Sequence, residues 1–345
     1  MASLLMIILL LAIAPPVRSF IHVGSSSDFV CIGSRSSLNL MTSGRSSLNL
    51  MTTPTTQRPS PDSLSEFEEP MPCPPRFGPA TLRTIARFTP FVVGGGYALN
   101  PESFDAAVAS AFDAYINCPL SQNYMTEAFV ASGAFVFWIA FFSFYSFFRT
   151  QDEAAISWTK MENYKEWFNP IASYLISIFL YHQVHSHPAL PPTPISFFQL
   201  TIEVATGIFL YDVAMYPLHW MMHKFEPMKA FHHYHHRTSV IYPVETVQHS
   251  YVDGFLQVVV NVMVQQITPF GGQKHILSRL LHNVLITYLL TESHVSAAAE
   301  PPWASYKLWP EIFSGRHRKH HEGGGGGYQQ FGSWIDDLVS TFPKN

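Results

Sequence analysis

Residues 128–148, AFVASGAFVFWIAFFSFYSFF, run for 21 positions without a charge. At about 1.5 Å of rise per residue, such a helix covers the ~30 Å hydrocarbon core of a bilayer. The pattern therefore predicts a membrane-spanning helix there. Apolar runs at 168–187 and 195–218 predict a second and a third, the latter with Glu203 and Asp212 inside it. Two shorter runs, 254–268 and 276–291, are separated by a polar, glycine-containing break and read as a helical hairpin that enters and returns. Residues 101–117 predict a modest amphipathic helix within a membrane-surface segment, 81–127. The expected fold is an all-α integral membrane bundle of about four spans, the hairpin included. Residues 128–194 carry its first spans and 195–345 the remainder.

Upstream, the pattern changes. Leu4–Ala14 is an apolar run of the length of a signal-peptide core, too short to span comfortably, so 1–19 reads as a signal peptide or signal anchor. Residues 20–80 are rich in Ser, Thr and Pro and repeat RSSLNLMT at 35–42 and 45–52, which fits a disordered leader rather than a solenoid. Arg35, Arg45 and Arg58 in an acid-poor context give it transit-peptide character. A signal peptide followed by such a stretch resembles the bipartite presequences of algae with secondary plastids. The endoplasmic reticulum and a plastid membrane both remain open as destinations.

Composition supports the membrane reading. Charged residues make up 13% of the chain, against about 25% in an ordinary soluble domain. The net charge of −4 gives no ground for nucleic-acid binding. Cys31, Cys73 and Cys118 are scattered and odd in number, so they form neither a disulfide framework nor a zinc motif.

The unusual feature is the 17 histidines. Three boxes stand out. His219 and His223 are four apart, one helical turn on one face, with Asp212 and Tyr216 on the same stripe. In HHYHH, His232, His235 and His236 share a face at i, i+3 and i+4, and His233 points about 100° away. His317, His320 and His321 repeat that spacing, with Arg318 and Lys319 in the outward positions. Counting crossings puts all three boxes and His294 on one membrane face, cytosolic or stromal by the positive-inside tendency. His182, His185 and His187 fall in a loop on the other side. Eight imidazoles exceed the three or four protein ligands of one zinc site, which implies two metals. Imidazole suits iron, zinc and copper alike. The sequence lacks HExxH, so a zinc metalloprotease loses its main support.

The combination HX3–4H, HX2HH and HX2HH resembles the fatty acid hydroxylase superfamily, which includes sterol desaturases, C4-methylsterol oxidases and fatty acid 2-hydroxylases. The likeness covers roughly residues 205–342. Asp212 and Tyr216 ahead of the first box match it, as do His249, His294 and the closing segment with Gly332, Trp334, Asp336 or Asp337 and Thr341. The chain departs at Trp220, in the short segment 295–312, and at the glycine run with Gln330, where the family usually has Asn-Tyr-Gly.

The resemblance implies two non-haem irons held by His219, His223, His232, His235, His236, His249, His294, His317, His320 and His321. His249, His282 and His294 are open as the residues that complete the site. Asp212, Tyr216, Asp336 and Asp337 are candidates to orient the ligands, and no catalytic side chain is implied beyond the ligands. Dioxygen and two external electrons would hydroxylate or desaturate a sterol or fatty acyl lipid drawn from the bilayer. The sequence shows no haem, flavin or iron–sulfur motif, so the donor would be separate, cytochrome b5 or ferredoxin. Alternatives are a zinc-dependent membrane hydrolase, a metal transporter or metal-binding protein, and a catalytically inactive relative.

Overall fold

The computed structural model describes residues 79–160, 163–184, 190–236, 241–323 and 327–340. The signal segment, the repeat-containing leader, His185, His187, Arg237 and Thr341 lie outside the described residues. Among the described residues the chain is helical throughout, with no strand.

The helices are α1 (Pro79–Leu99), α2 (Pro101–Ile116), α3 (Thr126–Thr150), α4 (Tyr164–Val184), α5 (Phe197–Lys224), α6 (Glu226–His232), α7 (Tyr251–Gln265), α8 (Ile276–Glu292), α9 (Ser305–Leu308), α10 (Arg316–Gly323) and α11 (Trp334–Ser340). Their starts follow local chemistry. Asn100, Ser196 and Ser250 cap α2, α5 and α7 by accepting from the backbone N–H three residues on. Pro101 occupies the first turn of α2, where its missing N–H costs nothing.

Two helices, α3 and α5, are long and apolar enough to cross a membrane. α3 buries Ala128, Phe135, Ile139 and Phe142 inward and exposes Phe129, Phe137, Phe141, Phe144 and Phe148. A helix apolar on every side suits a lipid environment. The run expected at 168–187 is part of α4, whose apolar stretch is only Ile171–Val184. α7 and α8 have 15 and 17 residues, and at 1.5 Å per residue each is about 22–26 Å long, short of a ~30 Å core. They flank a turn at Gly271 and Gly272, whose φ values of 77° and 73° need glycine, and are bridged by side-chain hydrogen bonds at Asn283.

α8 packs along α3 and α5, and α7 along α4 and α5. The acid inside α5 has a structural use here. Glu203 is fully buried and accepts from Gln199 Nε2 at 3.0 Å, Thr268 Oγ1 at 3.0 Å and the His275 N–H at 3.1 Å. It thereby pins the α7–α8 turn to α5, and its hydrogen bonds offset the cost of burying the carboxylate. The histidine boxes sit at the opposite end, on the last turn of α5, on α6 and the turn after it, and on α10.

Candidate metal centre

The site is assembled from four segments. α5 runs unbroken through Pro217 and presents His219 and His223 from its last turns. α6 ends at His232, and a tight turn follows in which His235 N–H donates to the His232 carbonyl and His236 N–H to that of His233. The turn keeps the helical facing: His232 and His235 are buried and His233 is exposed. α10 brings His317, His320 and His321, all buried, and the end of α8 brings His294.

Arg318 corrects the expectation for the third box. It points inward, only 8% exposed, and pairs with Glu300 at 2.5 Å and with the Tyr306 hydroxyl at 2.8 Å. Its stem lies on the box helix, so this part-buried pair ties α10 to the segment before it. Lys319 faces out as expected.

Two sets of four imidazoles converge. The ligand nitrogens of His219, His223, His236 and His320 lie within 4.8 Å of one another, and so do those of His235, His294, His317 and His321. The sets adjoin, with the rings of His236 and His321 stacked at 4.2 Å. Facing Nε2 atoms are 2.9–3.3 Å apart: His223–His320 at 2.9 Å, His317–His321 at 3.1 Å, His219–His223 at 3.2 Å and His235–His294 at 3.3 Å. Imidazoles bound at about 2.1 Å to one ion would show these separations at ligand–metal–ligand angles of about 87–104°, the range of tetrahedral and octahedral sites. The donor sets thus fit a metal each.

The opposite ring edges support the same reading. His219 Nδ1 faces the Tyr328 carbonyl at 2.9 Å, and His294 Nδ1 faces the Leu290 carbonyl at 2.7 Å. A carbonyl can only accept, so each Nδ1 carries the proton and each Nε2 turns a lone pair inward. Burial keeps the rings neutral. Desolvation, then the neighbouring histidines, holds His235, His236, His317 and His321 well below the ordinary histidine pKa. Desolvation lowers His294 to about 4. Neutral imidazole is the ligating form, so no proton has to leave before a metal binds.

His232 and His249 stand outside both sets. His232 Nε2 lies 3.0 Å from His236 Nε2, beside the first set, with Nδ1 on Asp253 at 2.9 Å. His249 turns both nitrogens to protein groups, Nδ1 to Asp253 at 3.0 Å and Nε2 to the Thr246 carbonyl at 2.9 Å, and stacks on His235 at 4.1 Å. His282 is remote from both sets, with Nε2 on Asn261 Oδ1 at 3.0 Å.

The acid nearest the histidines is Asp253, which sequence reasoning missed. Its carboxylate is fully buried and receives His232, His249 and Gln257 Nε2, the last at 2.8 Å. Its four-residue spacing from His249 was the available signal. Asp212 and Asp336 act one step farther out, on the backbone. Asp212 accepts from the Phe331 and Gly332 N–H groups at 2.8 and 3.1 Å and from Gln329 Nε2 at 2.6 Å. Asp336 accepts from the Tyr328 and Gln329 N–H groups at 2.9 and 3.1 Å. Together they hold the segment whose Tyr328 carbonyl meets His219. Tyr216 makes an edge contact with the Tyr328 ring at 6.4 Å, and Asp337 is exposed and paired with Arg316 at 2.6 Å. Gln330, in the departing segment, places its amide 3.0 Å from His317 Nε2.

Beneath the histidines lies a narrow cavity, part of it open to the outside, between α3, α4, α7 and α8. Leu290 lines both this cavity and the histidine pocket. Tyr174, also on its wall, stands 5.3 Å from the His249 ring. His182, expected in a loop away from the site, lines the cavity from α4.

The family model described as fatty acid hydroxylase matches residues 204–341, the span that holds all three boxes and His294. No curated protein and no solved structure matches the chain. Residues 204–341 therefore form a fatty acid hydroxylase domain, in a chain whose α3 and α5 have the length and composition of membrane spans.

Proposed function

From that domain as premise, we propose that the protein is a membrane-bound oxidoreductase that hydroxylates or desaturates a lipid, using two non-haem irons, dioxygen and electrons from a separate donor. The observation that carries this reading is the pair of adjoining, buried, all-histidine sets. Iron bound there would activate dioxygen to attack an unactivated C–H bond, which no side chain can do. The overall balance for hydroxylation is a C–H bond, O2, two electrons and two protons giving C–OH and one water. Desaturation consumes the same oxidant and electrons, removes two C–H bonds and releases two waters.

The chain's own residues have distinct parts in this scheme. His219, His223, His236 and His320 would hold one ion, with His232 beside them, and His235, His294, His317 and His321 the other. Asp253 fixes the rings of His232 and His249, and the carbonyls of Tyr328 and Leu290 fix His219 and His294. The cavity would be the route by which an apolar body reaches the histidines, at Leu290 and Tyr174. The two short helices α7 and α8 complete the bundle with α3, α4 and α5, and cytochrome b5 or ferredoxin would supply the electrons from the aqueous face. Neither histidine set includes a carboxylate to act as a hydrolytic base, which favours this reading over a zinc hydrolase.

The test is lipid profiling of a host expressing the full chain or His235→Ala. We expect a new oxidised sterol or fatty acyl species, formed only in air and only with the unaltered chain. Identical lipid profiles from the two hosts would overturn the oxygenase reading.

A further inference from the structure

The cavity has two unlike ends. Near the histidines its wall is Leu290 and Tyr174; at the far end it is polar. Asn283 and Gln265, each 3% exposed, face it there with Asn261 and the Arg279–Glu127 pair. Asn283 Oδ1 accepts from Asn261 Nδ2 at 3.1 Å and from Gln265 Nε2 at 2.8 Å. Among the described residues, no group takes the Asn283 amide N–H groups or the Gln265 Oε1. Two buried carboxamides, Asn283 and Gln265, beside half-buried Asn261, leave polar valences turned to the cavity that a ligand group can meet.

The charged pair on the cavity wall is balanced. Arg279 donates to Glu127 through Nε at 3.0 Å and Nη2 at 2.7 Å, and Nη1 donates to the Lys274 carbonyl at 2.7 Å. A carboxylate or phosphate entering here would meet the Glu127 charge and, in Arg279, a cation already paired; Lys274, whose Nζ is buried without a hydrogen-bond partner among the described residues, does not line the cavity. A hydroxyl fits differently: it can accept from Asn283 and donate to Gln265 at once.

We infer that this end is a head-group subsite for a neutral, hydroxyl-bearing lipid, whose apolar body runs up the cavity to the histidines. The inference rests on the oxygenase reading above and specifies its substrate. α8 also sets a ruler. Asn283 and Leu290 are seven residues apart and Asn283 and His294 eleven, so at 1.5 Å per residue the oxidised carbon lies about 10–16 Å from the hydroxyl.

Photo-cross-linking of the purified full chain tests this. The probe is octadecan-1-ol carrying a mid-chain diazirine. We expect it to label the cavity walls within 258–266 and 283–290. Unlabelled octadecan-1-ol should compete at about tenfold lower concentration than octadecanoic acid, and Asn283→Leu should lower alcohol labelling by about three- to tenfold, the share of one buried hydrogen bond. Competition by the acid at equal or lower concentration, labelling confined to other segments, or undiminished labelling of a folded Asn283→Leu chain would each overturn the inference. The competition uses the unaltered chain, so it decides even if the variant does not fold. Labelling needs neither metal nor dioxygen, so His235→Ala should label as the unaltered chain does. Loss of lipid oxidation with hydroxyl-selective labelling intact would count against the oxygenase reading alone, and lipid oxidation with labelling blind to the hydroxyl against the subsite alone.

Discussion

Replacing Asp253 with Asn removes one charge from the most buried part of the histidine assembly without changing side-chain size. The carboxylate receives His232 at 2.9 Å and His249 at 3.0 Å on Oδ2, and Gln257 on Oδ1. A hydrogen bond to a charged acceptor contributes about 1.5–3 kcal/mol, against about 0.5–1.5 kcal/mol for a neutral one, so the two histidine bonds together lose about 2–3 kcal/mol. His232 and His249 lie outside both sets but touch His236 and His235, so the loss reaches the metals through those contacts and is at most about thirty- to a hundredfold in metal affinity. The assay is a chelator titration of the purified full chain with retained iron as the readout. Asp253→Asn should release iron at about thirtyfold lower chelator. Asp337→Asn, which alters an exposed carboxylate paired with Arg316, should shift the midpoint by no more than about twofold, as exposed pairs do. A midpoint for Asp253→Asn equal to that of the unaltered chain would refute the orienting role of Asp253.

Further outcomes follow from the same geometry. His235→Ala should abolish metal retention in its set, whereas His233→Ala, at an exposed position, should retain it; equal loss from both would sink the facing argument. Gly207→Ala should destabilise the chain by about 1–3 kcal/mol in denaturant titration, because an added Cβ would stand 2.4 Å from Lys274 Nζ and 2.6 Å from His282 Nδ1; unchanged stability would show that both neighbours yield freely. The metal-free chain should lose stability as pH falls from about 6.5 towards 4. His294 is held at about 4 when folded and titrates near 6.5 when unfolded, so the unfolded state binds the extra proton in that window. A flat stability profile from pH 7 to pH 4 would contradict the buried, neutral state of these rings.

Much of the centre was legible in the chain because helical spacing maps directly onto a face. The i, i+4 pair on α5 and the two i, i+3, i+4 triads bring their rings together, and exposed His233 falls off the face. The spacing rule did not extend to the groups that orient the rings. Asp253 lies far from HHYHH in sequence, and its role depends on how α7 packs beside α6. Tyr328 acts through its backbone carbonyl, which no side-chain pattern reveals. Arg318 occupies an outward-looking position on an isolated helix and becomes buried only because Glu300 and Tyr306 fold over it. Hydropathy marked every apolar run and the shortness of the two that became α7 and α8, but it could not tell that these line a cavity with a polar end.

The central claim is that two all-histidine sets each hold an iron. The metal-to-protein ratio of the purified full chain, measured by elemental mass spectrometry beside His320→Ala and His321→Ala, tests it most directly. The account predicts two irons per chain, with each variant, drawn from a different set, losing the ion of its own set. Zinc in place of iron, a single ion per chain, or a ratio indifferent to both substitutions would contradict it.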